Sequence, residues 1–410
     1  MNRARVVVTG MAGISPVGNN WVDVERALRA RKNAVRHMDE WDDIAGLNTR
    51  LGAPAAPFEL PGHYSRKRTR SMGRVALVAC LASEWALADA GLLNHPVLTS
   101  GRTGVSYGSS IGEPAAVTDF AQLIKNRSLD GLNANSYLRM MAHTAPVNIA
   151  VFFGLTGRVI TTSSACTSGS QGIGYAYEAI RYGHADVMIA GGSEELCPSE
   201  AAVFDALFAT STRNDAPASS PRPYDRDRDG LVIGEGAGTL ILEELEHARA
   251  RGARIYAEIV GYGTNCDGAH VTQPRAETMT IAIRLALADA DLPAEAIGYV
   301  NGHGTATELG DIAESIATHT VFGEKMPISS LKSYIGHTLG AAGALEAWMT
   351  VEMMRSGWFA PTLNLNQVDP RCAPLDYVRD DGCTRDCEYT MSNNFAFGGI
   401  NTSLIFKRWD

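Results

Sequence analysis

The stretch Thr161-Thr-Ser-Ser-Ala-Cys-Thr-Ser-Gly-Ser-Gln-Gly-Ile-Gly174 passes from β-branched residues to small ones within a few positions. This change predicts that a strand ends near Ser163 and that a helix begins just beyond Cys166. Free backbone N–H groups at a helix N-terminus favour a thiolate, and small neighbours leave room for a substrate. Cys166 is therefore a candidate nucleophile, and a buried structural cysteine is the alternative for this stretch alone.

The same spacing recurs later in the chain, where His337-x-x-Gly-x-x-Gly343 repeats the pattern of Cys166-x-x-Gly-x-x-Gly172. Two further pairs of similar segments occur in the same order. They are 86–92 with 286–292, and 236–242 with 399–405. Three matches in one order predict two related halves, residues 1–251 with the candidate nucleophile and residues 252–410 with two candidate catalytic histidines.

Composition and patterning limit the class of protein. Apolar runs alternate with helical patterns along the chain, which predicts an α/β fold with mainly parallel or mixed sheets. Of the 410 residues, 45% are hydrophobic and 20% are charged, which excludes a disordered chain, and the net charge of −9 argues against nucleic-acid binding. No apolar run approaches the roughly 18 residues of a membrane span. Seven scattered cysteines without a metal-ligand cluster indicate reduced thiols and a cytoplasmic location.

Two histidines stand in glycine-rich turns. His303 lies in Asn301-Gly-His-Gly-Thr-Ala-Thr307 after a predicted strand, where a hydrogen-bonded turn histidine is the alternative. His337 follows Lys332 and precedes a glycine-rich helix start. Because the positive end of a helix dipole disfavours imidazolium, we expect a neutral His337 that donates a hydrogen bond from Nε2 to a developing oxyanion.

Five motifs, taken in order, resemble those of the β-ketoacyl-acyl-carrier-protein synthases of the KAS I/II type, condensing enzymes of the thiolase superfamily. They are ACTSG around Cys166, PYDRDRDGLVIGEGAG at 223–238, NGHGTATELGD at 301–311, KSYIGHTLGAAG at 332–343 and NNFAFGG at 393–399. The resemblance covers essentially the whole chain. It implies a thiolase-like five-layered αβαβα fold built from two duplicated halves, and a dimer with its active sites near the subunit interface.

The resemblance also implies the chemistry, a decarboxylative Claisen condensation that elongates a fatty acyl, polyene or polyketide-like chain. Cys166 would carry the acyl group, with the backbone N–H groups of Cys166 and Phe397 as the oxyanion hole. His303 and His337 would stabilise the malonyl-derived enolate, in a division of roles that the sequence leaves open. Lys332 would complete the catalytic set by holding charge and orientation near the histidines rather than by acting as the base.

Further site residues are implied in two groups. One group would contact the substrate: Thr305, Thr307, Ile111, Phe395 and Phe397. The other would support the catalytic residues: Glu346 as the partner of Lys332, and Asp311 and Glu314 as residues that order the His303 loop. The substrates would arrive on the phosphopantetheine arm of an acyl carrier protein, and no metal or other cofactor is expected.

An acidic enzyme with an acidic carrier partner needs a local basic patch, because net repulsion slows encounter. The residues predicted to dock the carrier are Arg66, Lys67, Arg68, Arg70, Arg74 and Arg213. A solvated charged face is the alternative interpretation of these residues. We expect a homodimer, and a specialised subunit in a heterodimer with a ketosynthase-like chain-length partner remains the alternative.

Overall fold

The computed structural model describes residues 3–409. Its strands are β1 (Val6–Ile14), β2 (Arg36–His37), β3 (Leu51–Ala53), β4 (Thr103–Gly108), β5 (Val159–Thr161), β6 (Val187–Glu194), β7 (Ile233–Gly234), β8 (Gly236–Glu244), β9 (Ala257–Cys266), β10 (Ile297–Asn301), β11 (Pro327–Ser329), β12 (Trp358–Phe359), β13 (Asp376–Tyr377), β14 (Cys383–Thr384), β15 (Tyr389–Ala396) and β16 (Ile400–Arg408). Its α-helices are α1 (Trp21–Arg29), α2 (Arg66–Thr69), α3 (Arg74–Asp89), α4 (Pro114–Asn126), α5 (Ala134–Met140), α6 (Thr144–Phe153), α7 (Ser168–Arg181), α8 (Pro198–Asp205), α9 (Leu245–Ala250), α10 (Ala276–Ala290), α11 (Glu308–Phe322), α12 (Lys332–Ile335) and α13 (Ala342–Ser356). Within residues 3–409, none of these helices has the length and apolar character needed to cross a membrane.

One large sheet organises the chain. Eleven strands lie in the order β13-β11-β10-β15-β16-β9-β1-β8-β6-β4-β5. The short antiparallel pairing of β1 with β9, in which Val6 faces Ile259, joins two segments of this sheet. Every residue of β1 is buried, as its β-branched run VVVTG predicts for a central strand.

Helices pack on both outer faces and between the two segments of the sheet. Helices α3 and α6 cover the outer face of β1, β8, β6 and β4 with an apolar core that includes Leu81 and Ile149. Helices α7 and α13 lie between the segments, and α10 and α11 cover the outer face of β9, β16, β15 and β10. The layer order is therefore αβαβα, and the predicted α/β class is confirmed.

The two sheet segments repeat each other strand by strand. In the first, β4 runs parallel to β5 and β6, while β8 is antiparallel to both β6 and β1. In the second, β10 runs parallel to β11 and β15, while β16 is antiparallel to both β15 and β9. The similar segments 236–242 and 399–405 correspond to β8 and β16, in equivalent places of the two segments. The division of the chain at Arg251 stays a prediction.

The glycines of the repeated spacing allow α7 and α13 to pack closely against each other. A Cβ atom on Gly169 would lie 2.9 Å from the carbonyl oxygen of Gly340, and one on Gly343 would lie 2.6 Å from the backbone nitrogen of Ser170. Only glycine permits this approach, so the N-terminal ends of the two helices touch. Cys166 and His337, which each precede one of these helices, are brought together as a result.

Candidate active site

The loops that follow β5, β10 and β11 meet at a cavity of about 520 Å³. Cys166, His303 and His337 line this cavity, and the sulfur and one ring nitrogen of each histidine lie within 4.8 Å of one another. All three side chains are buried. The structure thus unites the candidate nucleophile and both candidate histidines from distant parts of the chain.

Cys166 lies in a 3₁₀ turn, Ala165–Thr167, that leads directly into α7. Ala165 has a φ of +50°, a strained conformation of the kind found in turns that present a nucleophile. Burial raises the pKa of the Cys166 thiol to about 11, although the Lys332 charge and the backbone N–H groups of Phe397 and Cys166 act to lower it. The backbone N–H groups therefore act on the thiol in the direction that the sequence predicts, but desolvation is the larger effect.

His337 is held in one tautomer. Its Nδ1 accepts a hydrogen bond from the backbone N–H of Leu339 at 3.2 Å, so a neutral ring carries its proton on Nε2. Nε2 is buried and has no hydrogen-bond partner among residues 3–409. Burial, and then the charge of Lys332, hold the pKa of His337 well below 6.5. The ring is thus neutral, as the sequence predicts, and offers an unused N–H donor.

His303 is the second neutral imidazole of the cavity. Its ring centroid lies 5.2 Å from that of His337, with an angle of 86° between the ring planes. Its Nδ1 accepts a long hydrogen bond of 3.4 Å from Nδ2 of Asn394, which leaves Nε2 to carry the proton. Burial, and then the charge of Lys332, keep the pKa of His303 well below 6.5, and the nearby His337 acts in the same direction.

Lys332 and Glu346 form a buried ion pair behind the histidines. The Nζ–Oε1 distance is 2.5 Å, and the two side chains are 1% and 0% exposed. The other carboxylate oxygen of Glu346 accepts a hydrogen bond of 2.7 Å from Asn394, the amide that also contacts His303. Burial raises the pKa of Glu346, against the lowering effect of Lys332. The ion pair expected from the resemblance is present, and the side-chain amide of Asn394 connects Glu346 to His303.

Two buried carboxyl groups lie under the loop that carries His303. Glu314 accepts the backbone N–H groups of His303 at 2.6 Å and Gly304 at 2.7 Å, and Asp311 accepts that of Thr305 at 3.0 Å. Burial raises the pKa of Asp311 to about 6 and that of Glu314 to about 7. These hydrogen bonds fix the backbone on both sides of the imidazole.

Four of the five predicted substrate contacts line the cavity: Thr305, Thr307, Phe395 and Phe397. The hydroxyl groups of Thr305 and Thr307 lie 2.8 Å apart, which makes a polar strip along the cavity wall. Ile111 is not among the residues that line this cavity, and its side chain is 40% exposed on the loop after β4. A substrate contact at Ile111 stays a prediction.

The grouping of a thiol with two imidazoles also raises the question of a metal ion. Cysteine and histidine are ligands that zinc accepts, but a histidine ligand needs a free lone pair on the coordinating nitrogen. The N–H of Leu339 occupies the lone pair of Nδ1 in His337, so Nε2 bears a hydrogen atom. The site is consequently built to donate hydrogen bonds rather than to coordinate a cation.

The basic residues predicted to dock a carrier lie away from this cavity. Those on α2 and just after it are exposed: Arg66, Lys67, Arg68 and Arg70. The last three border a separate groove of about 340 Å³. Arg68 is partly engaged there, since its guanidinium lies 3.8 Å from the centroid of the Phe152 ring and donates to the Phe152 carbonyl at 2.9 Å.

The other two predicted docking residues each have an acidic partner within the chain. Arg74 forms an ion pair with Glu235, and Arg213 forms one with Asp229 at 3.3 Å. The two arginine side chains are 49% and 34% exposed, and their part in docking stays a prediction.

Three residues of the site were not predicted from the sequence. Arg228 is buried between Asp369 at 2.7 Å and Asp311 at 3.5 Å, and it donates to the carbonyl of Thr307 at 3.1 Å. Arg228 could have been found from the sequence, because it belongs to the motif at 223–238. Phe204 and Phe208 line the cavity as well, but no motif or spacing marks them.

Comparisons with known proteins agree with this geometry. Residues 3–248 match the family model of the β-ketoacyl synthase N-terminal domain, and residues 256–366 match that of the C-terminal domain. The chain is 39% identical to 3-oxoacyl-[acyl-carrier-protein] synthase 2 of Vibrio cholerae, over 100% of both chains. It superposes with a TM-score of 0.98 on a β-ketoacyl synthase from Burkholderia phymatum, at 59% identity over 99% of this chain and 100% of that one. For the ishigamide ketosynthase/chain length factor the TM-score is 0.90, at 32% identity over 100% of both chains.

Two repeated α/β halves with a buried thiol and two neutral imidazoles between them define the class of thiolase-fold ketosynthases. Within that class, the chain belongs to the β-ketoacyl synthase family.

Proposed function

We propose that this protein is a 3-oxoacyl-[acyl-carrier-protein] synthase, an acyltransferase that condenses a malonyl group with an acyl chain held on Cys166. The observation that supports the proposal is the Nε2–H of His337, which has no partner in the described part of the chain and lies in a cavity shared with His303 and Cys166. A neutral N–H donor beside a thiol suits the stabilisation of a thioester enolate.

In the first stage, the sulfur of Cys166 attacks the carbonyl carbon of an acyl thioester. The backbone N–H groups of Cys166 and Phe397, which already face the sulfur, hold the oxyanion, and each such donor contributes about 3 kcal/mol in other enzymes. The C–S bond to the pantetheine breaks, and its sulfur takes the proton that the thiol gives up. The acyl group is then bonded to Cys166.

In the second stage, a malonyl thioester occupies the cavity and loses CO₂. The electrons of the broken C–C bond form an enolate, whose oxygen accepts hydrogen bonds from His303 and His337. The enolate carbon attacks the acyl carbonyl, and the Cys166 sulfur leaves and regains a proton. The product is a 3-oxoacyl thioester that is longer by two carbons.

The surrounding residues support these steps. Lys332 and Glu346 hold Asn394 and hence the ring of His303, while Asp311 and Glu314 fix its backbone. Thr305 and Thr307 offer hydroxyl groups to the amide groups of a phosphopantetheine arm, and Phe395 and Phe397 give that arm an apolar wall. No step needs a metal or a bound cofactor.

The partner in this proposal is an acyl carrier protein, which brings both substrates, and the assembly is a homodimer. A cytoplasmic location suits the seven free thiols. Obligatory pairing with a chain-length subunit is not favoured, because the chain matches a curated 3-oxoacyl synthase over its whole length.

The test is incubation of the purified protein alone with acyl-carrier and malonyl-carrier proteins. We expect an acyl adduct on Cys166 by intact mass and a 3-oxoacyl product, and neither in Cys166→Ala. A wild-type chain that takes up acyl groups but condenses only after a second ketosynthase-like subunit is added would support the heterodimer instead. Absence of the adduct would reject both.

A further inference from the structure

A buried carboxyl group without a hydrogen-bond partner lies close to the catalytic cavity. Glu200, in the first turn of α8, is only 5% exposed. Neither of its carboxyl oxygens has a hydrogen-bond partner within residues 3–409. The backbone N–H of Cys197 acts to lower the pKa of Glu200, but it forms no hydrogen bond with the carboxyl group. A buried polar group without a partner destabilises a folded protein, so few are kept without a function.

A second buried carboxyl group, that of Glu194 at the end of β6, lies near the first. Its Oε2 accepts the backbone N–H groups of Ser110 at 2.7 Å and of Gly340 at 3.0 Å. Its Oε1 has no partner in the part of the chain that the structure describes. Burial, and then the charge of Glu194, raise the pKa of Glu200 well above 4.5. After burial, the same charge also contributes to the raised pKa of Cys166. Glu194 is therefore close to both Glu200 and the nucleophile.

The two carboxyl groups differ in protonation. Burial raises the pKa of Glu194 as well, but the hydrogen bonds from Ser110 and Gly340 oppose that shift. Glu200 therefore holds its proton more firmly, while Glu194 carries the negative charge. A neutral Glu200 offers an O–H donor, and Glu194 offers a free acceptor oxygen. A hydroxyl group can accept from the first and donate to the second, whereas a methyl group can do neither.

Helix α8 places these carboxyl groups beside the path of an acyl chain on Cys166. Phe204 lies one turn beyond Glu200 on the same side of the helix, and it lines the cavity. Ala201, the neighbour of Glu200, belongs to the same apolar cluster as Phe204 and Cys166. In the proposed function the pantetheine arm occupies the side of the cavity that the two threonines line. The acyl chain on Cys166 then extends toward α8.

We propose that Glu200 and Glu194 form a polar subsite for a hydroxyl group on the acyl chain, so that the enzyme prefers hydroxyl-bearing acyl groups to the matching alkyl ones. The inference rests on the proposed function, since it assumes an acyl chain bonded to Cys166. The substrate hydroxyl accepts a hydrogen bond from Glu200 and donates one to Glu194, which supplies the partners that both lack. Both carboxyl groups are already buried within a single chain, so the group that reaches them enters with the substrate.

The experiment measures acylation of Cys166 by pairs of acyl-carrier thioesters that have the same number of carbons and end in either a methyl or a hydroxyl group. Pairs of increasing chain length are compared, and the second-order rate constant is followed by intact mass. We expect the hydroxyl-bearing chain to react about tenfold faster at the length that reaches Glu200. An apolar pocket would instead favour the methyl group at every length.

Two variants of Glu200 and one control identify the cause of the preference. In Glu200→Met, an apolar side chain of similar length, the preference should reverse, and Tm should rise because an unpartnered polar group is removed. Glu200→Gln keeps a donor and an acceptor and should retain the preference. Glu246→Met, at an exposed acidic residue in the first turn of α9, is the matched control and should change neither quantity.

Equal rates for the two chains at every length, or an unchanged preference in Glu200→Met, overturn the inference. Faster reaction of an amine-ended chain than of the hydroxyl-ended one also overturns it, because both carboxyl groups would then be charged. A lower Tm and an altered oligomeric state in Glu200→Met overturn it in favour of a subunit contact. If Glu200→Met does not fold, the wild-type preference and its retention in Glu200→Gln decide. Failure of the proposed function looks different, since the wild-type enzyme would then form no acyl adduct with any chain.

Discussion

Nδ1 of His337 accepts a hydrogen bond of 3.2 Å from the backbone N–H of Leu339, two residues further along the chain. This contact determines which ring nitrogen carries the proton. It leaves the proton on Nε2, which has no hydrogen-bond partner within the described range 3–409. Because burial and Lys332 disfavour the imidazolium, the donor is neutral at physiological pH. The ring can therefore stabilise a negative oxygen without first taking a proton from solvent.

Replacement of His337 should separate the two stages of the reaction. We expect His337→Ala to lower the rate of condensation about 10²- to 10³-fold, the usual loss when one oxyanion donor is removed. Acylation of Cys166, measured by intact mass, should fall much less, because backbone N–H groups stabilise that step. His184→Ala, at an exposed histidine, is the control and should behave as wild type. Equal losses in both stages would contradict this assignment.

The raised thiol pKa predicts how Cys166 reacts with an alkylating agent. With a pKa of about 11, the reactive thiolate is scarce at neutral pH. The alkylation rate by iodoacetamide should therefore rise about tenfold per pH unit from roughly pH 7 to 10. Peptide mass spectrometry distinguishes this reaction from that of the exposed Cys266. An alkylation rate that levels off below pH 9 would contradict this prediction, because the thiol of Cys166 would then already be ionised at that pH.

The Lys332–Glu346 pair predicts a large stability effect from a single substitution. Lys332→Met leaves Glu346 buried without its cation, and we expect a loss of about 3–5 kcal/mol in the free energy of unfolding. The double variant Lys332→Met/Glu346→Gln should recover part of this loss, because no unpaired charge remains. Urea unfolding measures both. As a control, Arg26→Met breaks an ion pair whose side chains are 71% and 46% exposed, and it should cost under about 1 kcal/mol. Equal losses in the free energy of unfolding for the single and the double variant would contradict the prediction.

The exposed basic run on α2 predicts an electrostatic contribution to carrier encounter. Arg70 is the informative residue, because Arg68 is engaged with Phe152. We expect Arg70→Glu to raise KM for acyl-carrier protein several-fold at low salt, with the difference shrinking near 0.5 M salt, where the Debye length is only about 4 Å. Arg284→Glu, on the exposed face of α10, is the matched charge reversal and should have little effect. Equal KM values for the two variants would remove α2 from the docking surface.

Much of the fold was predictable because its signals are local. The change from β-branched to small residues before Cys166 marks the end of β5 and the start of α7. The matching glycines after Cys166 and His337 mark two helices that must approach closely, and they revealed the repeat. The motifs at 301–311 and 332–343 placed His303 in a turn after a strand and Lys332 shortly before His337.

Properties that depend on distant parts of the chain were not predictable from local patterns. Arg74 looked like a free surface charge, but it pairs with Glu235, which is 161 positions away. The exposure of Ile111 depends on how the loop after β4 packs. The N–H groups near Cys166 act to lower its pKa, as the helix N-terminus suggested, but the depth of burial outweighs them and raises it.

By itself, the sequence determined the α/β class and the repeat of two related segments, since short-range periodicity and spacing encode these, and its resemblance to a known family pointed to the candidate reactive side chains. Only the tertiary structure decided which charges are paired and which tautomer His337 adopts. Those properties arise from desolvation and from contacts between residues far apart in the chain, which no local pattern records.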